Sequence, residues 1–273
     1  MSLLNYKENT LDDELSESKS SWRRLREFTS ARVAIGRSGS GVPTAAHLQF
    51  QWDHARARDA VYSTLDTDRL CNELKSIGLQ PIQLYSAAPD RRIYLQRPDF
   101  GRRLSAESRS SLAGTETLCD VAFVLADGLS AAAINAHAMP LMKTVLPGLL
   151  EEKWRVGPVC VVEQGRVAIG DEIGEALGAS MTVVLIGERP GLSAPDSMGI
   201  YLTWNPHPGT TDNSRNCISN VRAEGLSYEV AAQKLLYLMT EAKRRRLSGI
   251  ELKEAAQTLL SADVATGHKL IGS

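Results

Sequence analysis

The residues of this chain best suited to chemistry stand in Gly187-Glu-Arg-Pro-Gly191, directly after the apolar run Met181-Thr-Val-Val-Leu-Ile186. Glu188 offers an acceptor carboxylate and Arg189 a permanent cation, and Pro190 and Gly191 set the turn that presents them. If the run is a strand of an open parallel sheet, ligands bind beyond its carboxyl end, where Glu188 and Arg189 would read them. A second polar stretch, Asn205 to Val221, carries His207, Arg215, Asn216 and Cys217. It reads as a loop, and a loop that long inside a compact domain is usually functional. Other candidates are weaker. Gly165-x-x-x-x-Gly170 has the glycine spacing that opens a phosphate loop, but Asp171 and Glu172 occupy the Lys and Ser/Thr positions. Two carboxylates at a helix N-terminus satisfy its dipole themselves and repel phosphate. The Gly-rich stretch from Gly36 to Thr44 follows no convincing strand, and Asp53 and His54, as neighbours, point to different faces of a helix. His47, His54, His137, His207 and His268 lie at no metal-ligand spacing, and no Gly-x-Ser-x-Gly elbow or kinase or nicotinamide fingerprint is present. These patterns point to no catalytic set and no protein-held metal, and favour a cofactor-binding or interaction subunit.

The elements that must position Glu188 form a β-α-β unit. Pro158-Val-Cys-Val-Val162 is short, apolar and β-branched, which predicts a strand covered on both faces. From Ala168 to Leu177 the apolar Ile169, Ile173 and Leu177 recur every four residues and Gly178 follows as a C-terminal cap, so a helix is predicted. Gly170, Gly174 and Gly178 share one helical face, which predicts close helix-on-sheet packing. Cys119–Ala126 and Ile200–Thr203 are further predicted strands. Ser130 caps a helix that Pro140 should interrupt, and a long helix from Tyr228 to Arg246 should stop at Gly249, followed by a short one from Glu251 to Leu260.

The part before about residue 113 predicts helices from Trp22 to Phe28, Pro43 to Tyr62 and around Leu70, Cys71, Leu74 and Ile77, with one short strand at Ile82–Tyr85. In the basic stretch Ala88 to Arg103, two Pro-Asp pairs mark turns, and Asp90 and Asp99 favour internal ion pairs and subunit contacts over nucleic acid. The first 20 residues hold five acidic and two basic side chains and few aliphatics, too little to order a segment alone. The expected organisation is therefore a flexible tail (1–20), a mainly helical N-terminal domain (21–112) and an α/β domain (113–273). The α/β domain is expected to be a Rossmann-like, mostly parallel sheet flanked by helices. A net charge of −1 argues against a dedicated nucleic-acid binder. Four dispersed cysteines without a C-x-x-C pair suggest reduced cytosolic thiols, and no apolar run approaches 18 residues, so a soluble, non-secreted chain is expected.

Several long segments carry a family resemblance. Gly187-Glu-Arg-Pro-Gly-Leu-Ser193, Tyr201-Leu-Thr203, Arg215-Asn-Cys-Ile-Ser-Asn220, Tyr94-Leu-Gln-Arg-Pro-Asp99, Ala126-Asp-Gly-Leu-Ser130 and Gly165-Arg-Val-Ala-Ile-Gly-Asp-Glu172 together resemble the small (light) subunit of ethanolamine ammonia-lyase, from about Trp22 onward. The resemblance implies an adenosylcobalamin-dependent lyase that converts ethanolamine to acetaldehyde and ammonia only with its large (heavy) subunit, which carries the catalytic groups. It implies a hetero-oligomer in the cytoplasm, within a bacterial microcompartment, without nucleic acid or membrane partners. It also implies that Val167, Glu188 and Cys217 touch the cofactor. The chain has no Asp-x-His-x-x-Gly with which to supply a histidine to cobalt. The alternatives are a scaffold subunit without ligand, or a stand-alone nucleotide-binding enzyme, the latter disfavoured by Asp171 and Glu172.

Overall fold

Residues 121–126 are buried without exception, and the rest of the fold explains why. In the computed structural model, which describes residues 24–252 apart from 26, 27, 30, 34, 38 and 116, this run is a strand with protein on both faces and both edges. Helix α1 spans Thr44–Tyr62 and α2 Thr67–Ser76, followed by strand β1 (Pro81–Tyr85) and the short helices α3 (Arg91–Gln96) and α4 (Ala106–Leu112). Strand β2 (Val121–Ala126), helix α5 (Ala131–Glu151), β3 (Val159–Glu163), α6 (Ile169–Ala176) and β4 (Met181–Gly187) then alternate. The chain closes with β5 (Met198–Trp204), β6 (Arg215–Val221) and α7 (Tyr228–Arg245). The six strands form one sheet in the order β1-β3-β2-β4-β5-β6. The first four are parallel to one another, and β5 and β6 add as antiparallel ribbons at the β4 side.

Strand alternation divides the interior into two cores. Val121, Phe123 and Leu125 face one that also holds residues of α2, α5 and α7. Ala122, Val124 and Ala126 face the other, against Ile169, Ile173 and Leu177. A strand buried on both faces must be apolar throughout, which is the continuous pattern its sequence has. Gly170 and Gly174 bring α6 onto the sheet, since an added Cβ would meet Val184 Cγ2 at 2.6 Å and Thr182 Cγ2 at 2.5 Å. The glycine row is a packing surface, as expected, and Gly178 (φ +61) ends the helix.

Four local expectations are corrected. Helix α5 runs through Pro140 and Pro147 to Glu151. The carbonyls those prolines leave without a partner, on Ala136 and Lys143, belong to exposed residues that water reaches, while ten buried side chains on the same helix hold it in place. In the basic stretch, Asp90 does not merely mark a turn but caps α3, its carboxylate accepting from Ile93 N–H at 2.8 Å. The supposed loop 205–221 ends in β6, whose pairing with β5 depends on a partner strand rather than on local hydrophobicity. Helix α7 ends at Arg245 because Arg246 takes the left-handed conformation (φ 56), three residues before Gly249. Beyond Leu252 the predicted last helix lies outside the described residues, as do the tail and most of the Trp22–Phe28 segment.

By its contacts the chain divides into two compact units, one up to Ala57 with Gly191–Ala194, the other Arg58–Pro190 and the chain from Pro195 on. Strand β1, placed by sequence within a mainly helical region, pairs along its whole length with β3, from Pro81 opposite Val159 to Tyr85 opposite Glu163. In the first unit Asp53 accepts from Arg32 at 2.7 Å and from Gln49 at 3.0 Å, while His54 stacks on Phe50, so this Asp and His act apart.

The strongest polar tie in the second unit is between α6 and β6. Arg215 donates to both carboxylate oxygens of Asp171 at 2.7 Å, and to Thr203 Oγ1 and Thr210 O at 2.9 Å each. Both charged side chains are nearly inaccessible. A buried pair of this kind is costly to break, because the remaining charge has no partner. Arg215→Ala or Asp171→Ala is expected to lower unfolding free energy by about 3–5 kcal/mol in urea titrations, whereas Arg215→Met with Asp171→Leu should cost much less than the two single changes summed.

Candidate functional site

The connections of β2 and β4 leave the sheet in opposite directions. From β2 the chain crosses through α5 to β3 on one side, and from β4 it turns back to β5 on the other. Neighbouring parallel strands whose connections diverge leave a crevice at their carboxyl ends. Here that crevice is a cleft of about 430 Å³. Gly128 and Leu129 line it after β2, Arg166 and Val167 after β3, Ile186 to Arg189 at the end of β4, with Tyr94 and Tyr201 completing the wall. The loops after β2 and β4 touch backbone to backbone. Leu129 N–H donates to Gly187 O at 2.9 Å, and a Cβ at Gly128 would lie 2.3 Å from the same oxygen, so only glycine fits there.

Glu188 stands on the cleft as anticipated, with its carboxylate held from one side. Oε2 accepts from Ser197 Oγ in a short hydrogen bond and from Asn220 N–H at 3.3 Å. Among the described residues Glu188 makes no ion pair with Arg189 or with the arginines of 91–103. Val167 lines the same cleft. Cys217 is exposed on β6, not in a loop, and lies directly opposite Tyr201 of the cleft wall in the β5–β6 ladder. Burial raises the Tyr201 hydroxyl pKa, and the neighbouring Cys217 thiol raises it further. The other polar residues of 205–221 have structural partners. Arg215 holds Asp171, Asn216 exchanges two hydrogen bonds with the backbone of Gly249 at 2.9 and 2.7 Å, and His207 closes a turn with Thr210. Asp171 and Glu172 are occupied too, since Glu172 accepts from Leu104 N–H at 2.9 Å and from Arg109 at 3.1 Å.

Beneath the cleft lies a cluster that sequence reasoning did not assemble. The Tyr94 hydroxyl donates to Gly165 O at 3.2 Å, and its ring is within 4.2 Å of the Arg166 guanidinium and 4.7 Å of that of Arg91. Gly101 makes this possible, because a Cβ there would meet Arg166 Cγ at 2.8 Å and Tyr94 Cε2 at 2.9 Å. Arg91 also donates to Gly128 O at 2.8 Å and approaches Asp127 at 3.5 Å. Asp127 in turn accepts from Gly165 N–H at 3.0 Å, tying the loops after β2 and β3 together. The basic stretch thus props up the cleft from below. The available signal was Tyr94 and Gly101 within the basic stretch Ala88 to Arg103, but nothing in their spacing indicates Arg166 as their partner.

As a chemical surface, the cleft offers an acceptor carboxylate at Glu188, donors at Arg166 and Arg189, and a hydroxyl at Tyr201, beside which Cys217 lies in the β5–β6 ladder. No serine, threonine, cysteine or histidine is among its lining residues. Such a rim suits a ligand bearing both N–H donors and C=O acceptors, as carboxamides do.

Burial raises the Asp127 pKa to about 6, although backbone N–H groups of Gln164, Gly165 and Gly128 and the charge of Arg91 oppose the shift. A carboxyl pKa raised in the folded state gives stability that is complete below its unfolded value near 3.8 and is lost as pH rises through about 6. Relative to Asp127→Asn, the unmodified chain should therefore lose about 2 kcal/mol of unfolding free energy between pH 4 and 7. Denaturant titrations of both proteins across that window measure it, and a constant difference would contradict the assignment.

Known proteins share this sequence over nearly its whole length. Residues 19–253 match the family model described as Ethanolamine ammonia-lyase light chain (EutC). The chain is 53% identical to the ethanolamine ammonia-lyase small subunit of Azotobacter vinelandii, over 96% of this chain and 99% of that one. It is 52% identical to the small subunit of Pseudomonas aeruginosa (strain UCBPP-PA14), over 92% of this chain and 94% of that one. A small subunit of Xanthomonas campestris pv. campestris (strain B100) is likewise 52% identical, over 91% and 93% of the two chains. With a family model matched over residues 19–253 and relatives more than half identical nearly end to end, this chain belongs to the ethanolamine ammonia-lyase small-subunit family.

Proposed function

We propose that the chain binds one side of adenosylcobalamin at the switch-point cleft of its Rossmann-like sheet. It would do so as the small subunit of an ethanolamine ammonia-lyase whose large subunit carries the substrate and the catalytic groups. The observation that carries the proposal is that Val167 and Glu188 line a single cleft and Cys217 lies opposite Tyr201 of its wall, although the three are scattered over 51 positions of sequence. Adenosylcobalamin supplies radical chemistry when bound. The residues here hold and orient. Corrin side chains end in carboxamides, whose N–H groups suit the Glu188 carboxylate and whose carbonyls suit the donors of Arg166 and Tyr201. Val167 gives apolar contact at the loop after β3. No serine, threonine, cysteine or histidine lines the cleft, so this chain alone should not turn over ethanolamine. Both the complex and its enclosure within a bacterial microcompartment belong to the same proposal.

Glu188→Gln keeps the shape of the side chain and removes its charge. It is expected to weaken cobalamin binding to the reconstituted two-subunit complex by about 1–3 kcal/mol, as for a lost charge-assisted hydrogen bond, with the melting temperature of the small subunit nearly unchanged. Unchanged cobalamin affinity together with a lower melting temperature would make Glu188 a scaffold residue instead.

A further inference from the structure

The carboxylate of Glu188 is engaged unevenly. Oε2 takes both of its hydrogen bonds, from Ser197 Oγ and Asn220 N–H, and Oε1 takes none among the described residues. Room for this pose is provided by Gly199, where an added Cβ would lie 3.0 Å from Oε1 and 3.3 Å from Cγ of Glu188. The ladder between β5 and β6 is irregular at this point, with a register shift between Met198 and Ile200. Asn220 has a left-handed backbone (φ 60), and its N–H donates to the carboxylate instead of continuing the ladder. Ser197 is itself tightly placed. Its carbonyl accepts from Glu188 N–H at 2.9 Å, and its two predecessors are anchored separately, Pro195 O by Ser130 Oγ at 2.9 Å and Asp196 by the buried His137 at 3.4 Å. Ser197 is 5% exposed, so its hydroxyl has little freedom to turn elsewhere.

From this arrangement we infer that Ser197 is a positioning residue. Its hydroxyl, with Asn220 N–H, holds Oε2 so that Oε1 is left as a fixed acceptor for a carboxamide N–H of the ligand. A carboxylate held before binding loses less rotamer freedom when the ligand arrives, so the clamp raises affinity without itself touching the ligand. The inference rests on the cofactor role of Glu188 proposed above and adds the groups that make it effective.

The test measures cyanocobalamin affinity of the reconstituted two-subunit complex, well below the melting transition of each variant. Ser197→Ala should weaken binding about five- to tenfold, as for one lost hydrogen bond. In a Glu188→Gln background the same change should weaken binding no further, because the clamp has lost the charge it orients. Gly199→Ala, which crowds Oε1 without removing a donor, should weaken binding comparably. An unaltered affinity in Ser197→Ala, with Glu188→Gln still weakening it, overturns the positioning role and leaves the Glu188 reading standing. An equal loss from Ser197→Ala in both backgrounds overturns it as well, since Ser197 would then act independently of Glu188. Unaltered affinity in both single variants removes the cofactor role of Glu188 and the clamp with it.

Discussion

One buried ion pair ties a helix on one face of the sheet to its edge strands. Asp171 lies in the first turn of α6 on one face, and Arg215 starts β6 at the far edge, yet the two meet in a bidentate contact at 2.7 Å. The same arginine reaches Thr203 on β5 and the backbone of Thr210, so helix, edge strands and the intervening loop share one charged centre. Desolvating both groups is expensive, and the expense is offset only when every donor and acceptor is matched. The pair therefore specifies more than it stabilises. With β6 in this register, Cys217 falls opposite Tyr201, and the strand's far end can bring Asn220 to Glu188.

Around that frame, backbone proximity does most of the shaping of the cleft. Gly128 lies against Gly187, Gly101 against Tyr94 and Arg166, and Gly199 against Glu188, each at distances that exclude a Cβ or force its neighbour aside. Each glycine permits a contact that a side chain would prevent. Tyr94 between two guanidinium groups, and Asp127 between two loops, then hold from below what the glycines allow to approach. A site built in this way has its polar groups fixed before a ligand arrives, which lowers the entropic cost of binding.

Much of this was legible in the chain itself. The apolar runs at Val121, Val159 and Met181 are strands because continuous β-branched sequence has few other outcomes, and Ile169, Ile173 and Leu177 mark a helix by their spacing. Glu188 was identifiable because it follows a buried strand directly, in a Pro-Gly turn, and that local context is enough to predict a strand end. The misreadings share one cause. Pro140 was expected to break a helix, Arg215 to Val221 to be loop, and Pro81 to Tyr85 to belong elsewhere, because local propensity says nothing about which partner will bury or pair a segment.

The sequence by itself therefore determined the core strands and the helix between β3 and β4, the strand-end position of Glu188 and, through its long motifs, the family. Tertiary structure alone decided that β1 joins the sheet, that Asp171 and Glu172 are consumed by Arg215, Arg109 and Leu104, and that Ser197, Asn220 and Gly199 converge on one carboxylate. The physical reason is range. Periodicity, turn chemistry and capping act over a few residues, whereas buried charges and close backbone contacts are satisfied by groups tens of residues away, brought near only when the whole sheet has formed.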